Sequence, residues 1–260
     1  MGFLDNVKKI ENIENGLHVI MGEPGIGKTT FAGTYPKPIL YVSLGNDGGY
    51  KVLGGNNDID MIPPLSTDNG VYKAGNTTGK RMYDKLAELL GELFQAKDHG
   101  YKTLIIDPIT ELQEDLCYFI KKKKGKNLSF DEWGQIGDMM ADLFKKLEYL
   151  AKSMNIVLIC HTKTIENTDS MSGNKVTRII PAFTENTAKR ICKNADMVAW
   201  IGAKTVTNED SKIEGLKRYI VVGANPLLPT KIRLPLGKSL DGEEIFDLTY
   251  EGLQEIIKSL

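Results

Sequence analysis

Short runs of consecutive apolar residues recur along the chain, separated by longer segments with helical periodicity. The runs cover residues 17–21, 38–44, 103–106, 156–160 and 197–201. Continuous apolar character over about four to eight residues indicates strands that are buried on both faces, as in parallel sheets. A further strand is predicted at residues 218–223, after a turn around residues 208–211.

The segments between these strands contain predicted helices. Residues 81–97 place apolar side chains at helical spacing, and Gly100 follows as a stop signal. Other helices are predicted at residues 29–35, from 110 to about 122, from a Ser129–Glu132 capping box to about 153, and at 184–194. Strands that alternate with helices predict an α/β fold with a mainly parallel twisted sheet flanked by helices on both faces.

The remaining segments lack clear periodicity. Residues 1–16 are predicted to be a polar lead-in, residues 45–80 an irregular insertion and residues 164–183 a polar loop. Residues 225–260 are expected to form a C-terminal antiparallel β extension with a final amphipathic helix. Since no repeat or obvious linker interrupts the chain, residues 1–260 are predicted to form a single domain.

Composition narrows the function classes only slightly. The net charge is −1 over 260 residues, so any contact with nucleic acid has to come from local basic patches. The cysteines at 117, 160 and 192 form no CxxC pair, which argues against a zinc site or a disulfide framework and is typical of a reducing cytosol. No apolar run approaches the roughly 20 residues that span a bilayer. We therefore expect a cytoplasmic protein without a membrane segment.

The segment after the first predicted strand matches the P-loop pattern GxxxxGK[ST]. It comprises Gly22, Glu23, Pro24, Gly25, Ile26, Gly27, Lys28, Thr29 and Thr30. The glycines allow backbone N–H groups to close around phosphate oxygens, Lys28 can reach the β- and γ-phosphates, and the Thr29 hydroxyl can bind Mg²⁺. The alternative is a glycine-rich turn that matches by chance. Because a strand precedes the motif and a helix follows it, the sequence predicts a site for ATP and Mg²⁺.

A P-loop needs a carboxylate that supports the Mg²⁺ ion, and Asp107 closes the apolar strand LIIDP as a Walker B aspartate does. Hydrolysis also needs a group that orients or deprotonates water. Two candidates remain open: Asp47, in GNDGG after the second predicted strand, and Glu111, whose alternative role is to complement a helix N-terminus. His161, at the end of the next buried strand, is a candidate sensor of the γ-phosphate.

The order of these motifs resembles one family. The chain contains GEPGIGKT, SLGNDGG, LIIDPITEL, FDEWG and LICHTK, followed by PAFTENTAKRICKNADMVAWI and a late KRYIVV strand. It resembles the RecA-like P-loop ATPases of bacteriophages, a group of phage nucleotide-binding proteins that includes single-strand annealing and recombination ATPases. The resemblance covers roughly residues 15–235.

This resemblance implies a RecA-like core, ATP bound between the subunits of a ring or filament, and single-stranded DNA held by loops after the Walker B and sensor strands. The family often has Glu-Gly-Gly after the second strand, where this chain has Asp47-Gly48-Gly49. RecA also supplies lysines in trans from the end of a late strand. Here that strand ends in GANP, and the nearby substitutes are Lys217, Arg218, Lys231 and Arg233.

Basic residues near aromatic residues are the signal for DNA contact. Phosphates attract cations, and bases stack on aromatic rings. The densest basic run has Tyr118, Phe119 and Phe130 nearby, and the later loop adds two cations; the candidates are Lys121, Lys122, Lys123, Lys124 and Lys126, with Lys175 and Arg178. The alternative is a solvated run of lysines at a helix C-terminus.

Two functions stay open from the sequence. The first is an ATPase, stimulated by single-stranded DNA, that promotes annealing or strand exchange in phage recombination or repair. The second is a nucleotide-switched binding protein that recruits a replication or repair partner, with little hydrolysis. A single-strand-binding protein is a further possible partner. A small-molecule kinase is a weaker third interpretation, because the segment after the P-loop helix has no arginine-rich lid.

Overall fold

A computed structural model describes residues 15–45, 48–68, 79–96, 98–124, 127–168, 173–207, 213–235, 237–246 and 248–260. The strands are β1 Leu17–Gly22, β2 Ile39–Ser43, β3 Ile59–Met61, β4 Thr103–Asp107, β5 Asn155–Cys160, β6 Thr162–Thr168, β7 Lys175–Pro181, β8 Met197–Thr207, β9 Ile213–Val221 and β10 Lys231–Ile232. The helices are α1 Lys28–Ala32, α2 Met82–Gln95, α3 Thr110–Lys124, α4 Phe130–Leu150, α5 Glu185–Asn194 and α6 Tyr250–Ser259, with a 3₁₀ helix at Gly49–Leu53.

Within the described residues, the central sheet has eight strands. Its order is β10-β8-β1-β5-β4-β2-β3, with β9 also paired to β8. The pairs from β3 through β2, β4, β5 and β1 to β8 are parallel, whereas β9 and β10 are antiparallel to β8. Residues on α2, α3, α4 and α5 pack in one core cluster, and residues on α1 and α6 pack in another with the alternate side chains of the strands. The predicted α/β fold class is confirmed.

Parallel strands place their carboxyl ends at the same edge of a sheet, which is where α/β folds bind ligands. The P-loop follows β1, Gly45 follows β2, and Pro108 follows β4 along this edge. The hydrogen bond from Leu44 N to Asp107 O (2.9 Å) joins the ends of β2 and β4.

Ser129 and Glu132 form the predicted capping box at the start of α4. The Ser129 N–H donates to Glu132 Oε2 (2.7 Å), and the Glu132 N–H donates to Ser129 Oγ (3.4 Å). Because these bonds satisfy two N–H groups of the first turn, they set where α4 begins. No helix within the described ranges has the length and apolar composition needed to cross a bilayer.

The prediction of a polar loop at residues 164–183 is wrong. β6 and β7 form an antiparallel hairpin there, with Thr162 opposite Pro181 and Thr168 opposite Lys175. This hairpin is a separate two-stranded sheet with many exposed side chains, so it lacks the apolar alternation that reveals a half-buried strand.

Two further expectations need correction. The predicted irregular insertion at 45–80 contains the 3₁₀ helix and the short edge strand β3. The late strand begins earlier than predicted, at Ile213, and within the described residues the antiparallel β extension of residues 225–260 consists of β10 and an isolated bridge between Ile220 and Ile245. The predicted lead-in of residues 1–16 and the turn at 208–211 lie mostly or wholly outside the described residues.

Candidate nucleotide site

The P-loop turns sharply between β1 and α1. Gly22 has φ 151°, and a β-carbon at this position would lie 2.5 Å from the Ile201 carbonyl oxygen of β8. Gly27 has φ 109° and forms the left-handed N-cap of α1. Both positions therefore require glycine, the first for close backbone approach and the second for its dihedral angle. The result is a turn whose backbone can approach phosphate closely.

Lys28 lies inside this turn. Its side chain is buried, and its Nζ donates to the carbonyl oxygens of Gly22 (2.9 Å) and Glu23 (3.0 Å). These bonds hold the ammonium group at the centre of the loop. The ammonium can exchange them for phosphate oxygens, because a charged acceptor forms a stronger hydrogen bond than a carbonyl.

Asp107 meets Thr29 directly, as the sequence predicts for a Walker B aspartate. The Thr29 hydroxyl donates to Asp107 Oδ2 at 2.7 Å, and the Asp107 side chain is buried. The Tyr41 hydroxyl on β2 donates to the same oxygen at 2.6 Å. Sequence reasoning missed Tyr41, because a tyrosine in a buried apolar strand gives no local signal of a functional contact.

This cluster fits Mg²⁺ in its donor chemistry. Thr29 and Asp107 offer a hydroxyl and a carboxylate oxygen, the hard ligands that Mg²⁺ prefers when substrate phosphates complete its coordination. Gly49 adjoins the cluster: a β-carbon there would lie 3.1 Å from Asp107 Oδ2 and 3.3 Å from Thr29 Oγ1. When bound, Mg²⁺ would neutralise charge on the phosphates. The side chains of Thr29 and Asp107 would hold it, and Lys28 would hold the phosphate chain.

Glu111 and His161 line one cavity at the carboxyl edge of the sheet. Glu111 is in the first turn of α3, and its Oε2 lies 3.7 Å from the position of a β-carbon on Gly45. The His161 N–H donates to Thr110 Oγ1 (3.3 Å). The structure therefore brings both predicted residues to the carboxyl edge of the sheet. The other candidate base, Asp47, lies outside the described residues.

We call this cavity the aromatic groove. Its volume is about 1220 Å³, and it extends from Gly45, Glu111 and His161 to Tyr118, Lys121, Trp133 and Lys163. Tyr118 is 49% exposed and Trp133 is 41% exposed, so both rings are accessible. Glu114 and Asp115 also line the groove, which makes its charge mixed. Lys163 and Trp133 were not predicted as site residues from the sequence, although the FDEWG motif that contains Trp133 was noted.

The predicted DNA-binding cations do not form one patch. Lys121 lines the aromatic groove, Lys175 lies 3.7 Å from Glu166 on the exposed hairpin, and Arg178 lines a different cavity of about 480 Å³ beside α5. The side chains of Lys122, Lys123 and Lys124, and residue Lys126, lie outside the described part of the chain. The structure thus places Lys121 and Arg178 on two different cavities.

Lys231 and Arg233 are at the opposite edge of the sheet. Lys231 pairs with Val198 near the start of β8, and Arg233 forms an ion pair with Asp196 (2.6 Å). Asp196 also accepts a hydrogen bond from the Leu17 N–H at the start of β1. β1 has six residues, so this point is roughly 16 Å from the P-loop. Neither cation is near the nucleotide site of its own chain.

Burial makes the cysteines unreactive. It raises the pKa of Cys160, at the end of β5, well above its usual range, and raises the pKa of Cys192 to about 12. Since the thiolate is the nucleophilic form, both thiols stay protonated and inert at neutral pH.

A family model described as an AAA domain matches residues 16–234. The chain belongs to the AAA domain family. The match includes the P-loop, Asp107 and the strands that carry them, so this AAA domain is a P-loop ATPase domain with a nucleotide site at the carboxyl edge of its sheet.

Two solved structures are similar to this AAA domain. It is similar to a KaiC-like protein from Pyrococcus horikoshii OT3, with 15% identity and a TM-score of 0.39 over 79% of this chain and 78% of that one. It is also similar to the flagellar accessory protein FlaH from Methanocaldococcus jannaschii, with 15% identity and a TM-score of 0.40 over 89% and 87% of the two chains. The comparison with curated proteins finds no match.

Proposed function

We propose that this protein is a Mg²⁺-dependent ATPase whose turnover is stimulated by single-stranded DNA, and that it promotes annealing or strand exchange during phage recombination or repair. The observation that carries the proposal is the aromatic groove, which is lined by Gly45, Glu111 and His161 at the carboxyl edge of the sheet and by accessible rings and cations. A strand held in the groove would contact groups adjacent to the ATP site.

The inner end of the groove is joined to the nucleotide site through the backbone. Leu44 N donates to Asp107 O (2.9 Å), and Ile109 N donates to Ile159 O (2.9 Å). The His161 N–H is bound to Thr110, three residues after Asp107. A ligand that shifts Glu111 or His161 therefore acts on the segment that carries the Walker B aspartate. In this proposal Glu111 orients the attacking water and His161 reports the presence of the γ-phosphate.

The outer end of the groove suits bases and phosphates. Trp133 and Tyr118 offer stacking surfaces, and Lys121 and Lys163 are cations that line the same groove. Stacking contributes about 1–3 kcal/mol per base and tolerates any sequence. The carboxylates of Glu114 and Asp115 would repel phosphates from their part of the wall, so the DNA backbone would follow the two lysines.

The proposal is tested by measuring ATP hydrolysis with and without single-stranded DNA, together with DNA affinity. We expect Trp133→Ala to weaken DNA binding by about ten-fold or more. Tyr149→Ala is the matched control, because Tyr149 is 53% exposed on the same helix. It lies about 24 Å further along α4, from the rise of about 1.5 Å per residue. Equal DNA affinity in the two variants would show that DNA does not bind in the groove.

The second candidate function is a nucleotide-switched protein that recruits a replication or repair partner, such as a single-strand-binding protein. The mixed charge of the groove favours it, since Glu111, Glu114 and Asp115 offset the lysines. Measurable ATP binding with a slow hydrolysis rate that DNA does not change would support this function and contradict the first.

We also propose that the protein assembles as a ring or filament with ATP between subunits, in the host cytoplasm. Support comes from the family resemblance and from the position of the P-loop at an open edge of the sheet. Analytical ultracentrifugation with ATP and DNA at micromolar protein concentration tests this assembly. A monomer under those conditions would contradict it.

A further inference from the structure

Arg218 lies over the P-loop of its own chain. A β-carbon placed on Gly27 would lie 3.6 Å from Arg218 Cδ and 3.7 Å from Nε. Gly27 directly precedes Lys28, so the guanidinium is next to the turn that binds phosphate. The two residues are far apart in sequence, and β9 brings them together.

Strand alternation explains why this side chain faces the loop. Side chains at i and i+2 of a strand share a face, so Arg218 and Ile220 face the same way. Ile220 is buried in the core cluster that includes Phe31 of α1. Lys217 faces the other way, with its Nζ 4.3 Å from the centre of the Phe246 ring. The face of β9 that carries Arg218 is therefore the one that packs against the P-loop helix.

The β8–β9 pair lies close to the P-loop at two points. A β-carbon on Gly22, at the start of the loop, would lie 2.5 Å from the Ile201 carbonyl oxygen of β8, and one on Gly27, at its end, would lie 3.6 Å from Arg218 Cδ of β9. Arg218 is opposite Ala203 in the pairing of the two strands. This contact depends on ordinary strand pairing within one chain, so the position of Arg218 needs no second subunit.

The charge of Arg218 is available for a ligand. Its side chain is exposed, and within the described residues its guanidinium makes no hydrogen bond or ion pair. Other exposed cations nearby are engaged: Lys204 pairs with Glu244, and Lys217 stacks on Phe246. A guanidinium presents a planar set of donors that matches phosphate oxygens, and it remains charged at any pH of interest.

We infer that Arg218 binds the phosphate chain of the nucleoside triphosphate in cis, as a second cation beside Lys28. This inference rests on the proposed ATP binding and names a residue that completes the same site. It differs from an arginine or lysine supplied by a neighbouring subunit, because the contact with Gly27 is made within the chain. The residue's role is to raise nucleotide affinity through charge and hydrogen bonding.

The first experiment measures the Kd for Mg-ATP by calorimetry in Arg218→Met and Arg218→Lys. Methionine keeps an apolar stem against Gly27 and removes the charge, whereas lysine keeps the charge and loses the planar fork. A lost charge-assisted contact predicts a Kd roughly ten-fold or more higher for Arg218→Met, and a smaller rise for Arg218→Lys. Lys204→Ala is the matched control, since it removes a cation of the same β8–β9 pair that is engaged with Glu244, and its Kd should equal that of the wild type.

Comparison with Lys28→Ala separates this inference from the proposed function. If Lys28→Ala loses ATP binding and folded Arg218→Met keeps the wild-type Kd, Arg218 is not a ligand and the inference is overturned. If Lys28→Ala binds ATP as the wild type does, the assignment of the nucleotide site to the P-loop is wrong. Thermal unfolding of each variant identifies any loss of binding that comes from misfolding, and Arg218→Lys then provides the decisive comparison.

A mixing experiment distinguishes cis from trans. Lys28→Ala subunits cannot hold ATP but still carry Arg218, so they could complete the site of an Arg218→Met neighbour if the arginine acted in trans. We expect the ATPase rate of the mixture to equal the sum of the two separate rates. A mixture that recovers activity above this sum would overturn the assignment in cis.

Discussion

Gly49 offers the sharpest test of the metal and phosphate cluster. A β-carbon at this position would lie 3.1 Å from Asp107 Oδ2, 3.3 Å from Thr29 Oγ1 and 3.5 Å from the Tyr41 hydroxyl. Gly49→Ala therefore inserts a methyl group among the oxygens that we assign to Mg²⁺. The backbone at Gly49 is outside the left-handed region, so alanine brings no conformational strain there.

The expected loss of Mg-ATP affinity follows from these distances. Ordinary carbon–oxygen contacts are about 3.3–3.6 Å, so the methyl group is too close to Asp107 and has to displace it. Overpacking of this kind costs about 1–3 kcal/mol. Displacement of Asp107 disturbs the site that holds Mg-ATP, so we expect the Kd for Mg-ATP to rise about ten- to hundred-fold, which corresponds to about 1.4–2.8 kcal/mol.

The assay is calorimetric titration of Mg-ATP into wild type, Gly49→Ala and Gly48→Ala. Gly48 is the matched control, because a β-carbon there meets only the flexible Lys51 side chain, at 3.6 Å or more. We expect Gly48→Ala to bind as the wild type does. Equal affinity for all three proteins would refute the placement of Mg²⁺ beside Thr29 and Asp107.

Other perturbations test the buried contacts and the groove. Tyr41→Phe removes a 2.6 Å hydrogen bond to the Asp107 carboxylate and should lower the free energy of unfolding by about 1.5–3 kcal/mol in chemical denaturation. Burial lowers the pKa of His18 from 6.5 to about 4. As the pH falls, His18 therefore takes up a proton at a higher pH in the unfolded chain than in the folded one. Stability should therefore decrease from pH 6.5 to pH 4, by roughly 3 kcal/mol in total, and His18→Gln should show a flatter profile. Lys121→Ala with Lys163→Ala should reduce the salt slope of single-stranded DNA binding by about 1.4, at about 0.7 per phosphate contact.

Each of these predictions has a result that would contradict it. Tyr101 donates to Asp60 at an exposed position (2.9 Å), so Tyr101→Phe should change stability far less than Tyr41→Phe, and equal losses would contradict the buried role of Tyr41. If the stability of His18→Gln depends on pH as that of the wild type does, His18 is not the group that causes the loss of stability at low pH. An unchanged salt slope would mean that Lys121 and Lys163 do not contact phosphate.

Local chemistry made the nucleotide site predictable. The P-loop is a contiguous motif, and Asp107 ends a strand whose apolar run is unmistakable. Parallel pairing then brings the two together at one edge of the sheet, as the Thr29–Asp107 hydrogen bond shows. The buried strands and amphipathic helices were predictable for the same reason, because burial on defined faces leaves a periodic pattern in the sequence.

Contacts between distant segments were not predictable. Tyr41 reaches Asp107 because of the register between β2 and β4, in which Ser43 is opposite Asp107. Arg218 reaches Gly27 because β9 returns along β8. Neither register is encoded locally. The β6–β7 hairpin was missed for a different reason: its pairing depends on backbone hydrogen bonds, and its exposed side chains carry no burial pattern.

The central claim is that the P-loop binds Mg-ATP through Lys28, with Thr29 and Asp107 beside it. The most direct measurement is calorimetric titration of ATP, with Mg²⁺, into the wild type and into a folded Lys28→Ala protein. The account predicts one ATP per chain for the wild type and loss of that binding in Lys28→Ala. Unchanged binding in Lys28→Ala, or no binding by the wild type, would contradict it.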